Sequence, residues 1–502
     1  MKRNPDYGFG KIIGTVAVAG TILGMDVSSM TVFLTSSYFN QYFNFPGPAL
    51  QGLITGANPV GGLVGCILFG IMTDKLGRAP TFRVLALIWI IGSIISAAVL
   101  NVWMLIAGRF IRGIAVGSFS VLLPVYIGEV VPEQRRGLAT SVVQLALTSA
   151  ILVVFFVCFL LNYFEHQYSF RIAWGLEMVP ALLLLVLSFS LLESPKWLAS
   201  HGRYDQARTI LQNSGVIENH DREEVDAAPV TKIDILELYG GSQKISYGDL
   251  FSGTLRKHMA VGVTVQVLVQ ACGINILMFY IVYICEMIGL RGGTKLAAAS
   301  VPYFINVVFT CIPIALLDRL ERKAVVSFGG LSLGFIMALM GAIMGWFGHS
   351  VLPVNGNATI VWEITGAPGF LILALCFLFV ALFASTLSCC AWLYSSEVLP
   401  RDARSKGMAL CMAASWFLNS CLTFTTPLLL RKIKWITFVL LGSTTVLLSI
   451  VVAVWFPETK GLSEDQIKQI FRKPAIEIEL GEKEKYSDES DTRSSAPSPV
   501  TS

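Results

Sequence analysis

The chain has 502 residues, of which 54% are hydrophobic and 14% are charged, and its formal net charge is +4. Soluble globular domains carry about 25% charged residues, so this composition excludes an ordinary soluble domain. The small positive charge is not evidence for nucleic-acid binding, because it comes mostly from one set of loops.

Twelve apolar stretches follow one another along the chain. Each has the length of about 20 residues that a helix needs to cross a hydrocarbon core of about 30 Å. The sequence therefore predicts an all-α membrane protein with twelve transmembrane helices. The stretches are 11–33, 51–72, 81–100, 104–126, 138–162, 171–192, 257–285, 298–317, 324–346, 368–392, 404–428 and 434–456.

One set of charged motifs occurs twice, in the same order, and each motif closes an apolar stretch. Two similar bundles with charges at one face are typical of an alternating-access transporter. We predict two six-helix halves, 1–192 and 257–456, joined by a loop at 193–256 and followed by a tail at 457–502. The first copy contains Asp74, Arg78, Glu129, Arg136 and Glu193, and the second contains Asp318, Arg322, Glu397, Arg404 and Glu458.

The loop at 193–256 is polar and mixed in charge, and segments beginning at Tyr204 and Ile233 are predicted to form short amphipathic helices. The tail is rich in Glu, Lys, Ser and Pro from about residue 474, which predicts disorder.

Arginine and lysine gather at the face that carries the motifs. The positive-inside rule then places this face, the loop and both termini in the cytoplasm. Arg431, Lys432 and Lys434 contradict the rule, because they fall on the opposite side. Asn357-Ala-Thr359 is a glycosylation sequon in a predicted outer loop. We expect a multi-pass protein of the plasma membrane.

The ten cysteines lie in or beside apolar stretches, and none has zinc-like spacing with histidine. No nucleophile–base arrangement, phosphate-binding loop or metal cluster is evident, so we expect neither an enzyme nor a metal or cofactor.

The motifs taken together resemble the sugar porter family of the major facilitator superfamily, and some segments are most similar to fungal high-affinity glucose and hexose transporters. The resemblance extends from about residue 11 to residue 470. Its motifs are Gly70-x-x-x-Asp74-x-x-Gly77-Arg78, Gly108-Arg109-Phe110, Pro124-x-x-x-x-Glu129, Glu193-Ser-Pro, Gln270 with Gly273-Ile-Asn275, and Pro457-Glu-Thr-Lys-Gly461.

The resemblance implies that the ten charged residues named above form a latch at the inner face, closed while the outside is open. Acid and base groups at the meeting of two halves can bias a two-state equilibrium by a few kcal/mol. The alternative is that these charges only set topology. Glu321 replaces a glycine expected in the second copy.

Polar residues inside membrane spans are costly and often mark a transport pathway. Amides both donate and accept hydrogen bonds, as sugar hydroxyl groups require, and aromatic faces cover the apolar side of a sugar ring. The alternative is that these residues form interhelical hydrogen bonds or simple packing. The candidate sugar-contact residues are Gln144, Gln266, Gln270, Asn275, Asn306, Trp392, Trp416 and Asn419, of which all except Gln266 match family sugar-contact positions.

Several positions depart from the family pattern. Val269 stands where most members have a glutamine that holds the sugar, and the tenth stretch lacks the usual prolines. Glu177 is an extra intramembrane acid that we interpret as a helix-end acid or an interhelical hydrogen-bonding group.

Asp26 is the other intramembrane acid of the first half, and Arg109 is its expected partner. The resemblance implies that such a pair gains and loses a proton in proton-coupled symporters. A permanent ion pair between two helices is the alternative.

The sequence predicts a transporter of glucose or a related hexose, moved with a proton by alternating access. The alternatives are a passive hexose facilitator, a polyol or disaccharide carrier, or a transporter-like sugar sensor. The expected partners are the sugar, protons and the lipid bilayer but no nucleic acid, and we expect a monomer.

Overall fold

The computed structural model describes residues 5–34, 36–132, 135–164, 166–214, 245–290, 293–351, 362–364, 366–462 and 464–472. Within these residues, twelve helical spans are long and apolar enough to cross a membrane, which confirms the all-α prediction. In chain order they are Phe9–Phe33, Ala49–Leu76, Arg78–Ala97, Val102–Val130, Arg136–Asn162, Tyr168–Ser188, Leu255–Met287, Thr294–Leu316, Arg322–Phe347, Ala367–Val398, Arg404–Lys432 and Ile436–Trp455.

The helices that form the first six spans, together with the short helices near them, lie before residue 215. They are α1 (Pro5–Phe33), α2 (Ser37–Tyr42), α3 (Pro48–Leu76), α4 (Arg78–Ala97), α5 (Val102–Val130), α6 (Arg136–Asn162), α7 (Tyr168–Leu176), α8 (Met178–Ser188), α9 (Pro195–Ser200) and α10 (Tyr204–Ser214).

The last six spans follow a 3-10 turn at Asp249–Phe251, and a second such turn lies at Leu317–Arg319. Two short strands pair antiparallel, β1 (His349–Ser350) and β2 (Trp362–Glu363). The helices are α11 (Leu255–Ala271), α12 (Ile274–Met287), α13 (Gly293–Leu316), α14 (Arg322–Phe347), α15 (Ala367–Ser385), α16 (Leu387–Val398), α17 (Arg404–Lys432), α18 (Ile436–Trp455) and α19 (Glu464–Arg472).

Three spans are broken. The sixth changes helix at Glu177, the seventh at Gly273 and the tenth at Thr386. Gly273 has a φ of 83°, which favours glycine because a Cβ atom is strained there. The tenth span has no proline at its break, so a helix without the family's prolines is still divided in two.

Glycines bring the second and fourth spans into backbone contact. A Cβ atom built on Gly65 would lie 2.2 Å from Ile114 O, and one on Gly117 would lie 1.9 Å from Gly62 O. Small residues permit this approach, which is how membrane helices gain packing energy without a hydrophobic driving force between them.

We expect Gly117→Ala to destabilise the protein by about 3 kcal/mol, because the added methyl group meets the backbone of Gly62, which cannot move aside. Gly14→Ala is the matched control, since nothing lies within 4 Å of a Cβ atom there. Alanine is a better helix former than glycine by about 1 kcal/mol, so the control variant should be no less stable than the parent. Thermal denaturation of both purified variants tests this, and equal midpoints would contradict the packing described.

Parts of the predicted loop and tail are resolved into helices. The segment beginning at Tyr204 forms α10. The C-terminal helix α19 packs on the base of the seventh span, where the Phe471 ring lies 3.9 Å from the His258 ring. The Ile233 segment, Asn357 and residues 473–502 lie outside the described residues.

Two of the loop cations that contradict the charge rule are exposed, and the third has a local partner. Lys434 Nζ donates to Ser350 Oγ at 2.7 Å and lies 4.7 Å from the centre of the Trp362 ring. Lys434 therefore connects the turn before the twelfth span to the β1–β2 pair through these two contacts.

Candidate functional site

A cavity of about 180 Å³ lies between the first six and the last six spans. Seven of the eight residues predicted to contact sugar line it, and Asp26 lines it too. The breaks of the seventh and tenth spans lie beside the cavity. The seven are Gln144, Gln270, Asn275, Asn306, Trp392, Trp416 and Asn419.

The break at Gly273 places two amides of the seventh span side by side. Gln270 Nε2 donates to Ser415 Oγ at 3.0 Å, and Asn275 Nδ2 donates to Gln270 Oε1 at 2.6 Å. These bonds hold the two side chains together, and both residues line the cavity.

Two further amides supply groups that no described protein atom satisfies. Asn58 Nδ2 on the second span and Asn306 Oδ1 on the eighth are buried and make no hydrogen bond within the described part of the chain. Both residues line the cavity. An unsatisfied buried polar group costs about 1–3 kcal/mol, so a ligand hydroxyl that bonds to it is favoured. Sequence reasoning missed Asn58, although an asparagine within a span was the signal that identified the others.

Aromatic side chains form the apolar part of the cavity wall. Trp392, Trp416, Phe279 and Phe383 all contribute to it. The Trp416 ring packs so closely on Gly62 that a Cβ atom there would lie 2.8 Å from it, and its Nε1 donates to Ser120 Oγ at 3.0 Å. Trp416 thus lines the cavity and also joins the eleventh span to the second and fourth.

Gln266, the eighth predicted sugar-contact residue, does not line this cavity. Its side chain is buried, and Nε2 donates to Ala391 O and to Ser395 Oγ, both at 3.1 Å. Gln266 shares a helix face with Gln270 but lies one turn nearer the start of α11, where α16 covers it. Its amide is an interhelical hydrogen-bonding group. Val269, by contrast, does line the cavity.

Asp26 belongs to a buried cluster of two acids and two arginines. Arg109 reaches Asp26 Oδ2 at 2.9 Å, and Arg112 reaches Asp26 Oδ1 at 2.8 Å. Arg112 also pairs with Glu177. Arg109 is held further by a 2.8 Å bond from its Nε to Ile54 O.

The formal charges of this cluster cancel, two positive against two negative. Buried charges require such pairing, since desolvation costs several kcal/mol per ion. Of these four residues, only Asp26 lines the cavity. Sequence reasoning missed Arg112 and left Glu177 without a partner. The signal for Arg112 was a second arginine one helical turn beyond Arg109 on the same face.

Ion pairs of the two motif copies gather at one end of the bundle, which we call the charge-rich end. In the first copy, Arg78 Nε and Glu129 Oε2 are 2.9 Å apart. The Glu193 carboxylate accepts from the backbone N–H groups of Arg78 at 2.7 Å and Ala79 at 3.2 Å. An anion at a helix N-terminus is stabilised by the free N–H groups and the helix dipole.

The second copy repeats this arrangement. Arg322 Nε lies 3.4 Å from Glu397 Oε2, and Glu458 accepts from the backbone N–H groups of Arg322 and Lys323, both at 2.9 Å. The Arg322–Glu397 pair is longer than its counterpart, and Glu397 also accepts from Thr459 Oγ1 at 2.9 Å.

The other predicted latch arginines bond to backbone carbonyl groups near helix ends. Arg136 Nη2 donates to Gly128 O and Arg404 Nε to Ser396 O, both at 2.9 Å. The side chain of Asp318 lies outside the described residues.

Contacts join the first six spans to the last six at both ends of the bundle. At the charge-rich end, Asp74 Oδ2 lies 3.3 Å from Lys406 Nζ, and Lys196 donates to the carbonyl group of Arg401. Burial lowers the pKa of Lys196, which the nearby Glu129 and Asp402 carboxylates oppose. At the opposite end, Tyr283 OH and Gln51 Oε1 are 3.5 Å apart. Lys196 and Lys406 were not among the predicted latch residues.

A family model described as "Sugar (and other) transporter" matches residues 13–471. The chain is 37% identical to a probable metabolite transport protein of Saccharomyces cerevisiae, over 94% of this chain and 88% of that protein. It is 33% identical to a high-affinity glucose transporter of Kluyveromyces lactis, over 92% of this chain and 84% of that protein.

The fold is similar to that of the proton:xylose symporter XylE bound to 6-bromo-6-deoxy-D-glucose. The TM-score is 0.78 at 23% identity, over 93% of this chain and 100% of XylE. These relatives are transporters and not enzymes. The chain therefore belongs to the sugar transporter family of the major facilitator superfamily, as its motifs predicted.

Proposed function

We propose that this protein carries glucose or a related hexose across the membrane together with a proton, by alternating access between its two halves. The observation that supports this most strongly is the cavity shared by the two halves. Amides and aromatic rings from both sets of spans line it together with Asp26, which also belongs to the buried charge cluster.

The chemistry of the cavity suits a small, uncharged, hydroxyl-rich ligand. Asn58 offers a donor and Asn306 an acceptor that have no partner among the described residues, and the aromatic wall suits the apolar face of a sugar ring. The volume of about 180 Å³ favours a single small molecule over a disaccharide. The Kluyveromyces lactis relative is named as a glucose transporter.

Proton coupling is supported by the position of Asp26 between the cavity and two arginines. If Asp26 takes a proton from the cavity, the cluster gains one positive charge, and reopening toward the other side allows the proton to leave. XylE, which has the same fold, is named as a proton:xylose symporter. A permanent Asp26–Arg109 pair in a passive carrier is the competing proposal.

The charge-rich end is proposed to face the cytoplasm, with both termini, because it carries most loop arginines and lysines. A plasma-membrane location, a monomeric state and glycosylation at Asn357 belong to this proposal as well. The ion pairs of both motif copies, with Asp74–Lys406, would then form the inner latch.

Uptake of labelled hexoses in cells without their own hexose carriers tests the proposed function. We expect saturable glucose uptake that a protonophore reduces. Uptake that a protonophore leaves unchanged would support the passive carrier. Binding of glucose to the purified protein without uptake in cells would support a sensor instead.

We expect Arg78→Ala to shift the resting population toward the conformation that opens at the charge-rich end. The variant leaves the buried Glu129 carboxylate without its guanidinium, and loss of one partner of a buried pair costs about 3–5 kcal/mol. The measurement is the labelling rate of Gln51→Cys, at the opposite end, in a background whose exposed Cys311 and Cys421 are serine. Labelling should slow.

Arg256→Ala is the control for Arg78→Ala, because it removes the same charge from an exposed position at the same end. It should leave the labelling rate at the parental value. If Arg78→Ala also labels at that rate, the charges have only a topological role.

A further inference from the structure

A second cavity, of about 460 Å³, lies at the charge-rich end where the start of α4 meets α9 and α10. It shares no lining residue with the cavity that contains Asp26. The proposed sugar transport does not use it.

Two arginines line this second cavity, and neither has a carboxylate partner among the described residues. The Arg83 guanidinium lies 4.7 Å from the centre of the Phe189 ring, and its buried Nε makes no hydrogen bond among the described residues. The Arg203 guanidinium lies 5.9 Å from the centre of the Trp197 ring. Among the residues that the structure describes, neither guanidinium makes a hydrogen bond or an ion pair, whereas Arg78, Arg109 and Arg112 each have a carboxylate partner.

The one carboxylate that lines the cavity is already engaged. Glu193 accepts from the N–H groups of Arg78 and Ala79 at the start of α4, and from the N–H of Ser194 at 2.9 Å. Its charge is therefore directed at the helix N-terminus, and the cavity keeps a positive character from its two arginines.

We propose that this cavity binds a phosphate-bearing ligand, its phosphate group between Arg83 and Arg203. Guanidinium groups form strong charge-assisted hydrogen bonds with phosphate oxygens. Gln206 and Thr209 supply further polar groups, and Leu76 and Ile210 supply apolar wall. The phosphate could belong to a membrane phospholipid or to a soluble molecule, and both share this chemistry.

The surroundings favour the phospholipid. Phe189 is 69% exposed and Leu76 is 43% exposed, and both lie at span ends where acyl chains can pack on them. A phospholipid whose anionic headgroup occupies the cavity would place its acyl chains along this surface. Clusters of arginine and lysine at a membrane surface attract anionic lipids in the same way.

Occupation of the cavity would also stabilise the closed charge-rich end. A phosphate between Arg83 of α4 and Arg203 beside α10 would hold the α9–α10 segment against the third span. The α9 helix carries Lys196, which donates to the carbonyl group of Arg401 in the other half. The ligand is thus expected to slow opening at this end.

The test uses the purified full-length protein, with native mass spectrometry and ligand-dependent thermal stability as readouts. Phosphatidylglycerol, phosphatidylcholine and inorganic phosphate are titrated separately. We expect phosphatidylglycerol to bind at least about tenfold more tightly than phosphatidylcholine, which has no net charge. Competition by inorganic phosphate would show that the phosphate group suffices, and its absence would show that the ligand must be a lipid.

The double variant Arg83→Gln with Arg203→Gln should bind phosphatidylglycerol roughly tenfold or more weakly, because charged hydrogen bonds are lost. Arg208→Gln is the control, since Arg208 lies on the same α10 helix but outside the cavity lining. Retained glucose binding shows that the double variant is folded. Equal affinity of the double variant and the control for phosphatidylglycerol would overturn the proposal, as would equal binding of the two lipids by the parent.

Discussion

Asp26→Asn is expected to abolish uphill accumulation of sugar while exchange of sugar across the membrane persists. Asparagine keeps the size of the side chain and its hydrogen bonding but cannot carry a titrating proton. The variant also leaves Arg109 and Arg112 with one carboxylate fewer, so the cluster gains a net positive charge. Because breaking a buried pair costs about 3–5 kcal/mol, we expect lower stability and slower exchange as well.

Glu177→Gln is the matched control for Asp26→Asn. It removes the same charge from the same cluster, but Glu177 pairs with Arg112 and does not line the cavity. Uphill accumulation should persist in this variant, although its stability should fall. If both variants lose accumulation equally, the net charge of the cluster, and not a proton on Asp26, determines coupling. The measurement is labelled hexose accumulation in vesicles with an imposed pH gradient.

Gln270→Ala and Asn275→Ala are expected to weaken sugar binding by roughly 5- to 150-fold each. This range follows from a loss of about 1–3 kcal/mol when one partner of a desolvated hydrogen bond is removed. The two amides bond to each other at 2.6 Å, so their effects should not add in the double variant. Equilibrium binding of labelled glucose to the purified variants gives the affinity directly.

Gln266→Ala provides the control within the same helix. Its amide bonds to the tenth span and not to the cavity, so sugar affinity should stay near the parental value while thermal stability falls. A large loss of affinity in this variant, with no loss in Gln270→Ala, would reverse the assignment of the site. Val269→Gln should tighten sugar binding, because it adds a hydrogen-bonding group to a position that lines the cavity.

The fold was predictable because twelve long apolar stretches leave few alternatives in a bilayer, where every backbone polar group needs an internal partner. The identity of most cavity residues was predictable for a related reason. A polar side chain within a span is costly, so Gln144, Asn275 and Asn306 stand out from their neighbours.

Sequence spacing did not predict where along a helix a residue reaches the cavity, nor which side chains on different helices pair with each other. Gln266 and Gln270 share a face, but only the break at Gly273 and the crossing of α16 separate a cavity residue from a buried interhelical one. Pairing of Asp74 with Lys406, across the two halves, depends on how the halves meet and not on either motif alone. The break at Thr386 has no sequence signal that we recognise.

The most direct test of proton-coupled sugar transport is an accumulation assay on the parent protein in reconstituted vesicles. The vesicles contain labelled glucose at equal concentration on both sides, and the pH is then lowered outside. We predict that glucose becomes concentrated inside and that a protonophore abolishes the concentration difference. Glucose that equilibrates but never becomes concentrated would contradict proton coupling and identify Asp26 and Arg109 as a structural pair in a passive carrier.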